Sequence, residues 1–238
     1  MAHHSVSSNS FFSRLLMIAA LGFIALPLHA GQTYSPGGWP TLHQDAGNRR
    51  AVATTVRDRE YRSWHALAGA TVLTAPTTSP DGQQIYVTTG QAAGQSNLHA
   101  YSIDGELLWQ AEPWQTANDS VDPCAILSSP IIDRQGDIYI GDCNQLFAFR
   151  PDGAIKWVID LPPVQDEDWK PAGDHPVNAL TTAAFTAEGN ILGVTNFGDI
   201  IVVDRRTGRV LNQPYRLPGL IPPYSTVVPM PDSLFADG

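Results

Sequence analysis

A segment of ten residues occurs three times along this chain of 238 residues, and this repeat limits the possible fold more than any other feature. Each copy begins with leucine and ends with glycine, and the leucines lie 54 and then 53 residues apart: Leu73–Gly82, Leu127–Gly136 and Leu180–Gly189. A constant period near 50 residues indicates that one supersecondary unit is copied, and such units bury their apolar faces against their neighbours. The chain is therefore expected to be a row of similar units.

Each copy is followed by the same succession of short runs and turns. The runs are rich in β-branched and aromatic residues and are bounded by turn formers, which is typical of β-strands. A second glycine turn precedes the last run of each copy, at Gly105, Gly153 and Gly208. Four antiparallel strands joined by tight turns form one blade of a β-propeller. The sequence therefore predicts an all-β chain of four-stranded blades, over about residues 70–111, 124–160 and 177–215.

Two of the copies resemble a known repeat. The pattern Ala-x4-Gly-x3-Trp occurs twice, as Ala100-Gly105-Trp109 and as Ala148-Gly153-Trp157. It resembles the tryptophan-docking repeat of the pyrroloquinoline-quinone (PQQ) type propellers, and the segment Gly38–Asp45 resembles the opening of such domains. The resemblance implies that the Ala and the Trp of one blade pack against the next blade, so we expect both indoles to be buried there. The third copy keeps Gly208 but has Asn212 where the pattern has Trp.

The N-terminus has the pattern of a secretory signal peptide over residues 1–30. Arg14 precedes an apolar stretch of 14 residues, Leu15–Leu28, and Ala30 is a possible cleavage point. The stretch is too short to span a bilayer, so cleavage and export to a periplasm are expected. An uncleaved anchor is the alternative. The rest of the sequence has no comparable apolar stretch, so the protein is not expected to span a membrane.

The sequence after the signal segment has two predicted parts. Residues 31–66 are expected to supply strands that help to close the propeller, and residues 67–238 contain the repeats. A further inner strand is predicted to begin near residue 223, so about three to four blades are expected. Propellers usually close with four to eight blades. The chain is therefore interpreted as the N-terminal part of a longer protein.

Charge excludes one class of partner and suggests another. The chain has 23 acidic and 14 basic residues and a net charge of −9, which argues against nucleic acid as a partner.

Acids concentrate in the links between blades and between second and third strands, where only Lys170 and Arg216 are assigned as cations. Long loops on a rigid scaffold often bind ligands. We predict a binding face there for a protein or polymer, formed by Asp119, Asp122, Asp142, Asp166, Glu167, Asp168, Asp174 and His175, with Asp199 beside it. The alternative is that these acids only keep an exported protein soluble.

The two cysteines, Cys124 and Cys143, are predicted to lie on the same loop face. In an oxidising compartment they could form a disulfide that ties an inter-blade loop to its blade. Two free thiols are the alternative. The cysteine spacing does not fit haem attachment or a two-Cys two-His zinc site.

Two classes of function compete on this evidence. The first is an exported, non-catalytic propeller that serves as a binding or scaffold module, for which no cofactor is expected. The second is a fragment of a PQQ-dependent alcohol or sugar dehydrogenase, which would use PQQ and calcium. The resemblance implies an adjacent pair of cysteines in such enzymes, and the sequence has none. PQQ also carries three carboxylates, whereas the predicted loop face is mostly acidic.

Overall fold

A computed structural model of the chain describes residues 33–42, 44, 51, 63–72, 74–90, 97–111, 128–142, 144–163 and 178–217. Within these ranges the protein is all-β, with three separate four-stranded antiparallel sheets and no helix, and hence no helix that could cross a bilayer. Each sheet has the sequential strand order of a propeller blade. The predicted fold class, an all-β chain of four-stranded blades, is confirmed.

The strands follow one another in chain order. Blade 1 consists of β1 (Thr77–Thr78), β2 (Gln84–Thr88), β3 (Leu98–Ser102) and β4 (Leu107–Gln110). Blade 2 consists of β5 (Ile131–Ile132), β6 (Ile138–Asp142), β7 (Gln145–Phe149) and β8 (Ile155–Asp160). Blade 3 consists of β9 (Leu180–Phe185), β10 (Ile191–Thr195), β11 (Asp199–Val203) and β12 (Tyr215–Arg216).

Glycine turns join the first strand to the second and the third to the fourth. The repeat glycines after the first strands have positive φ angles of 69°, 87° and 80°, at Gly82, Gly136 and Gly189. Because side chains disfavour this backbone region, glycine is the residue that forms such turns without strain. Both kinds of turn lie on one side of the blades. The links from second to third strand and from blade to blade therefore lie on the opposite side, which we call the loop side.

A segment near the N-terminus covers the inner edges of the first strands. Tyr34 forms an antiparallel bridge with Asp133, and the Ser35 N–H donates to the carbonyl oxygen of Ile132 at 3.1 Å. In blade 1, the Thr78 N–H donates to the carbonyl oxygen of Trp39 at 2.9 Å. These contacts satisfy backbone groups that an open sheet edge would leave unpaired.

The hydrophobic core lies between the blades. One layer joins blades 1 and 2 and includes Tyr86, Leu98, Ile138, Phe147 and Phe149. A second layer joins blades 2 and 3 and includes Tyr139, Leu146, Leu180, Phe185 and Ile201. Burial of these faces is the main stabilising contribution to a blade stack. Each described blade therefore buries apolar side chains against a neighbouring blade.

Candidate functional site

Most of the predicted binding face lies outside the described residues. This holds for Asp119, Asp122, Asp166, Glu167, Asp168, Asp174 and His175, and also for Cys124 and Cys143. Asp142 ends strand β6, but its side chain is not among those described. The acidic binding face and the disulfide therefore stay predictions.

Two charges of the loop side are paired with each other. Arg216 holds Asp199 through two hydrogen bonds, Nε to Oδ1 at 2.8 Å and Nη2 to Oδ2 at 2.9 Å. The Asp199 side chain is only 4% exposed. A bidentate Arg–carboxylate pair is among the stronger side-chain interactions, and a buried carboxylate needs such a partner. Asp199 therefore serves to fasten β12 to β11.

An asparagine network ties blade 2 to blade 3 on the same side. The Asn178 amide donates to the Pro162 carbonyl oxygen at 2.6 Å and to Asp199 Oδ2 at 3.0 Å. Its backbone N–H donates to Asn144 Oδ1 at 3.0 Å, and the Asn144 N–H donates back to the Asn178 carbonyl oxygen at 2.6 Å. Asn144 has a φ of 63°, a conformation that Asn tolerates better than most residues. These polar groups hold the scaffold together.

Three tryptophans lie on the second glycine turn of the following unit. Each indole N–H donates to a carbonyl oxygen of that turn: Trp64 to Ile103 at 3.3 Å, Trp109 to Pro151 at 3.0 Å and Trp157 to Arg205 at 3.0 Å. A Cβ at Gly105, Gly153 or Gly208 would approach the indole that covers it to 2.5, 2.7 or 2.9 Å. These turns require glycine because an aromatic ring rests on them.

Docking by Trp64 was not predicted from the sequence, and the burial of the other two indoles was overestimated. Thr55 and Glu60 stand at the Ala and Gly positions of the pattern before Trp64, so only the indole itself could have indicated docking. Trp109 and Trp157 are half-buried rather than buried. Their strands are the outermost of their blades, so one face of each ring covers the turn while the rim stays accessible to solvent.

The alanine of the pattern has a packing role. Tyr86 pairs with Ala100, which pairs with Trp109, and the two aromatic rings meet with centroids 5.9 Å apart. Blade 2 repeats this row with Tyr139, Ala148 and Trp157, again with ring centroids 5.9 Å apart. The small alanine leaves room for aromatic side chains on both neighbouring strands to touch above it.

The third blade lacks this aromatic row. Leu192 pairs with Val202, and Asn212 occupies the position of the tryptophan. Asn212 Oδ1 accepts a hydrogen bond from the Val202 N–H at 2.7 Å, and Asn212 Nδ2 donates to the Ile200 carbonyl oxygen at 3.1 Å. The amide therefore binds its own blade instead of a following turn.

A buried carboxylate joins blades 2 and 3 on the glycine-turn side. The Asp133 side chain is 0% exposed and accepts hydrogen bonds from Arg205 Nη1 at 2.5 Å and from the Tyr139 hydroxyl at 2.9 Å. It also accepts the N–H groups of Gln135 and Asp137 at 2.9 and 3.0 Å. Burial, together with the Asp133 charge, raises the pKa of Tyr139 well above its usual range. The carbonyl oxygen of Arg205 also accepts the hydrogen bond from the Trp157 indole, so both contacts hold blade 2 against blade 3.

A buried histidine was also not anticipated. His99 in β3 is 6% exposed, and its Nδ1 has no hydrogen-bond partner among the described residues. Burial lowers the pKa of His99, and its ring stacks on Tyr101 at a centroid distance of 6.4 Å. Among the described side chains, no three His, Cys, Asp or Glu residues are grouped as a metal site would require.

No known protein-family profile matches the sequence. One curated protein, Protein Rv3035 of Mycobacterium tuberculosis, is 25% identical over 183 residues. The match covers 76% of this chain but only 38% of that protein. The chain therefore spans less than two fifths of the length of the curated relative that it matches.

Solved structures give likenesses in fold. A europium-containing methanol dehydrogenase matches with a TM-score of 0.52 and 17% identity, over 74% of this chain and 31% of that one. A protein of unknown function from Bacteroides caccae matches with a TM-score of 0.42 and 13% identity, over 66% and 50% of the two chains. A quinohemoprotein alcohol dehydrogenase from Comamonas testosteroni matches with a TM-score of 0.42 and 16% identity, over 57% and 26%. The first of these likenesses supports the propeller fold and, at this identity, the fold alone.

Proposed function

We propose that this chain is part of an exported, non-catalytic propeller whose loop side binds a protein or polymer partner. The observation that carries the proposal is the topology of the three sheets: the ends of β2, β4 and β8 and the starts of β3, β5 and β9 lie on the loop side. Long stretches of sequence, residues 91–96, 112–127 and 164–177, connect these strand ends. Segments of this length on a rigid scaffold are usually functional. Asn144, Asn178, Asp199 and Arg216 on that side, by contrast, are hydrogen-bonded to one another.

The charge of these segments favours a basic partner. Residues 112–127 and 164–177 contain Glu112 and most of the predicted binding-face acids, against Lys170 as their one basic residue apart from His175. The pairing of Asp199 with Arg216 leaves this balance unchanged, because the two charges cancel. An excess of one sign raises the association rate of an oppositely charged partner and makes binding sensitive to salt.

Neutralising the acids tests this proposal. The variant Asp166→Asn, Glu167→Gln, Asp168→Asn, Asp174→Asn should bind poly-L-lysine about tenfold more weakly at low salt and show a smaller salt dependence. The matched control neutralises four exposed acids of the glycine-turn side: Asp104→Asn, Glu106→Gln, Asp152→Asn and Glu188→Gln. Equal losses of poly-L-lysine affinity in both variants would contradict specific binding by the loop side. They would favour the interpretation that the acids only keep the protein soluble. Calorimetric titration with calcium, in place of poly-L-lysine, distinguishes a cation site from a macromolecular one.

The alternative is a fragment of a PQQ-dependent dehydrogenase. It is favoured by the likeness to the europium-containing methanol dehydrogenase. The described residues do not fit PQQ well, because three quinone carboxylates need cationic partners and the loop-side Arg216 already binds Asp199. Calcium could bridge acids to the quinone, and basic residues would have to come from other segments.

A dye-reduction assay separates the two functions. The binding module should not reduce an electron-acceptor dye when supplied with PQQ, calcium and methanol or glucose. Dye reduction that requires all of these components would overturn the binding proposal in favour of the dehydrogenase.

A further inference from the structure

One face of blade 3 is apolar and only half-covered. We call it the outer face of blade 3 and define it by Ala184, Leu192, Val194, Ile200 and Val202, which are all half-buried and lie on the side opposite blade 2. The side chains between them, which face blade 2, are buried. The corresponding row of blade 2 is fully buried, because blade 3 covers it: Tyr139, Gly141, Leu146 and Ala148.

We propose that the outer face of blade 3 is a packing surface for residues 218–238 of this chain, which supply the first strand of a further blade. The outer face continues the pattern of the other two blades. In blades 1 and 2, the side chains at the equivalent positions contact the next blade. In blade 3, the side chains at these positions are only half-buried. An apolar sheet face of this kind is stable in water only when another layer covers it.

The chain also leaves each blade in the same way. After the fourth strand, the N–H of Ala111 donates to Leu98 O at 2.9 Å, and that of Leu161 donates to Asn144 O at 2.6 Å. In blade 3 the N–H of Leu217 donates to Gly198 O at 3.0 Å. Each donor follows the fourth strand, and each acceptor is the first residue of the third strand or the residue directly before it. The chain therefore leaves blade 3 in the direction that leads to a next inner strand in the other two blades.

The sequence after blade 3 has the character of an inner strand. Tyr224-Ser-Thr-Val-Val-Pro229 is similar to Leu127-Ser-Ser-Pro-Ile-Ile132, which leads into β5. Nine residues lie between Leu217 and Val227, and the ten Cα-to-Cα steps of an extended chain reach about 30 Å. Crossing one blade and moving to the next layer takes about 15 Å and 10 Å, so the segment is long enough.

A contact between blade 3 and a further blade would lack the tryptophan hydrogen bond that joins blade 1 to blade 2 and blade 2 to blade 3. Blade 3 offers Asn212 instead of a tryptophan, and its amide is bonded within the blade. Among the described residues, the outer face therefore offers aliphatic side chains and no indole to a next blade.

Two adjacent valines provide a sharp test, because neighbouring residues of a strand point to opposite faces. The single variants Val227→Asp and Val228→Asp are made in the full chain, and amide hydrogen exchange is followed in residues 191–203, with residues 138–149 as internal reference. One variant should speed exchange in residues 191–203 by about tenfold, and the other by less than about twofold. Ile155→Asp, on the exposed rim of β8, should leave residues 191–203 unchanged.

Three outcomes would overturn the proposal. No change in either variant means that the segment does not cover the face, and equal changes mean that it does not pack as a strand. A dimer by light scattering that Val202→Asp converts to monomer means that a second copy of the chain covers the outer face instead.

Discussion

Trp157 and Asn212 occupy the same position of the repeat in blades 2 and 3, yet one side chain bonds to the next blade and the other bonds within its own blade. The Trp157 indole donates to Arg205 in the next blade, whereas the Asn212 amide bridges Val202 and Ile200 in its own blade. One substitution therefore changes a contact between blades into a contact within a blade. The four-stranded blade forms with either residue, but among the described residues the Asn212 amide bonds only groups of its own blade.

The neighbouring residues differ between the two blades in the same way. The row Tyr139, Ala148, Trp157 becomes Leu192, Val202, Asn212. Without a tryptophan, the small alanine is not needed, and valine fills the space beside leucine. This difference indicates that tyrosine, alanine and tryptophan act as one unit that extends a blade toward the next turn.

Removal of Asp133 should have the largest effect on the locked joint between blades 2 and 3. Asp133→Ala leaves Arg205 and the Tyr139 hydroxyl without their acceptor, and we expect a loss of about 3–5 kcal/mol in the free energy of unfolding. Asp152→Ala is the control, because Asp152 also accepts a turn N–H but is exposed, so about 1 kcal/mol or less is expected. Urea denaturation measures both. Similar losses for the two variants would show that the buried pair adds nothing to the joint.

The glycine under an indole should rank next. Gly153→Ala places a Cβ 2.7 Å from the Trp109 ring at a φ of 85°, and we expect a loss of about 3 kcal/mol from strain and displaced packing. Gly69→Ala is matched in backbone conformation, with a φ of 82° and no atom within 4 Å, so about 1 kcal/mol is expected. Thermal unfolding of both variants isolates the contribution of the indole. If the two losses are equal, the tryptophan does not restrict the turn.

Substitution of Trp157 and of Asn212 should give smaller and spatially different effects. Trp157→Phe and Asn212→Ala should each cost about 1–2 kcal/mol, because Trp157→Phe removes one partly exposed hydrogen bond and Asn212→Ala removes three. Hydrogen exchange distinguishes them: Trp157→Phe should loosen both blades 2 and 3, while Asn212→Ala should act on residues 199–203 only. A spread of the Asn212→Ala effect into blade 2 would contradict the view that this amide serves its own blade.

The repeat made the strands, the glycine turns and two of the three docking tryptophans predictable, because each is encoded within one period of the sequence. Features built from distant residues were not predictable. In the sequence, Asp133 is one of several acids in turns, and its buried ion pair forms only because the fold places Arg205, 72 residues later, beside it. Asn212 could be identified only as a missing tryptophan, since its partners depend on an irregular connection between Val210 and Tyr215. Docking by Trp64 was not predicted, because the Ala and Gly of the repeat pattern do not precede this tryptophan. The binding-face acids are long-loop residues, and periodicity says nothing about how such loops fold.

The aromatic row should also make blades 1 and 2 sensitive to alkali in a way that blade 3 is not. Burial, together with a smaller contribution from the nearby Asp81 charge, raises the pKa of Tyr86 to about 12, whereas blade 3 has Leu192 in the row. Below pH 10 the phenol is neutral in both the folded and the unfolded chain. Above pH 10 the unfolded chain ionises while the folded one does not, so the free energy of unfolding falls from about pH 10 until the folded pKa near 12 is reached.

Tyr86→Phe should therefore have the smallest effect at neutral pH and a stabilising effect in alkali. At pH 7 it removes only a 3.4 Å hydrogen bond from the Tyr86 hydroxyl to Gln84, so the change should be at most about 0.5 kcal/mol. Between pH 10 and 12 the variant should lose less stability per pH step than the unmodified chain, because it has one phenol fewer to ionise on unfolding. Urea midpoints at pH 7, 10 and 11.5 measure the difference, with the pH 7 value as the variant's own reference. An unchanged alkaline slope would mean that the Tyr86 ring is not held in the joint between blades 1 and 2, and the aromatic row would then not act as the unit that the difference between blades 2 and 3 indicates.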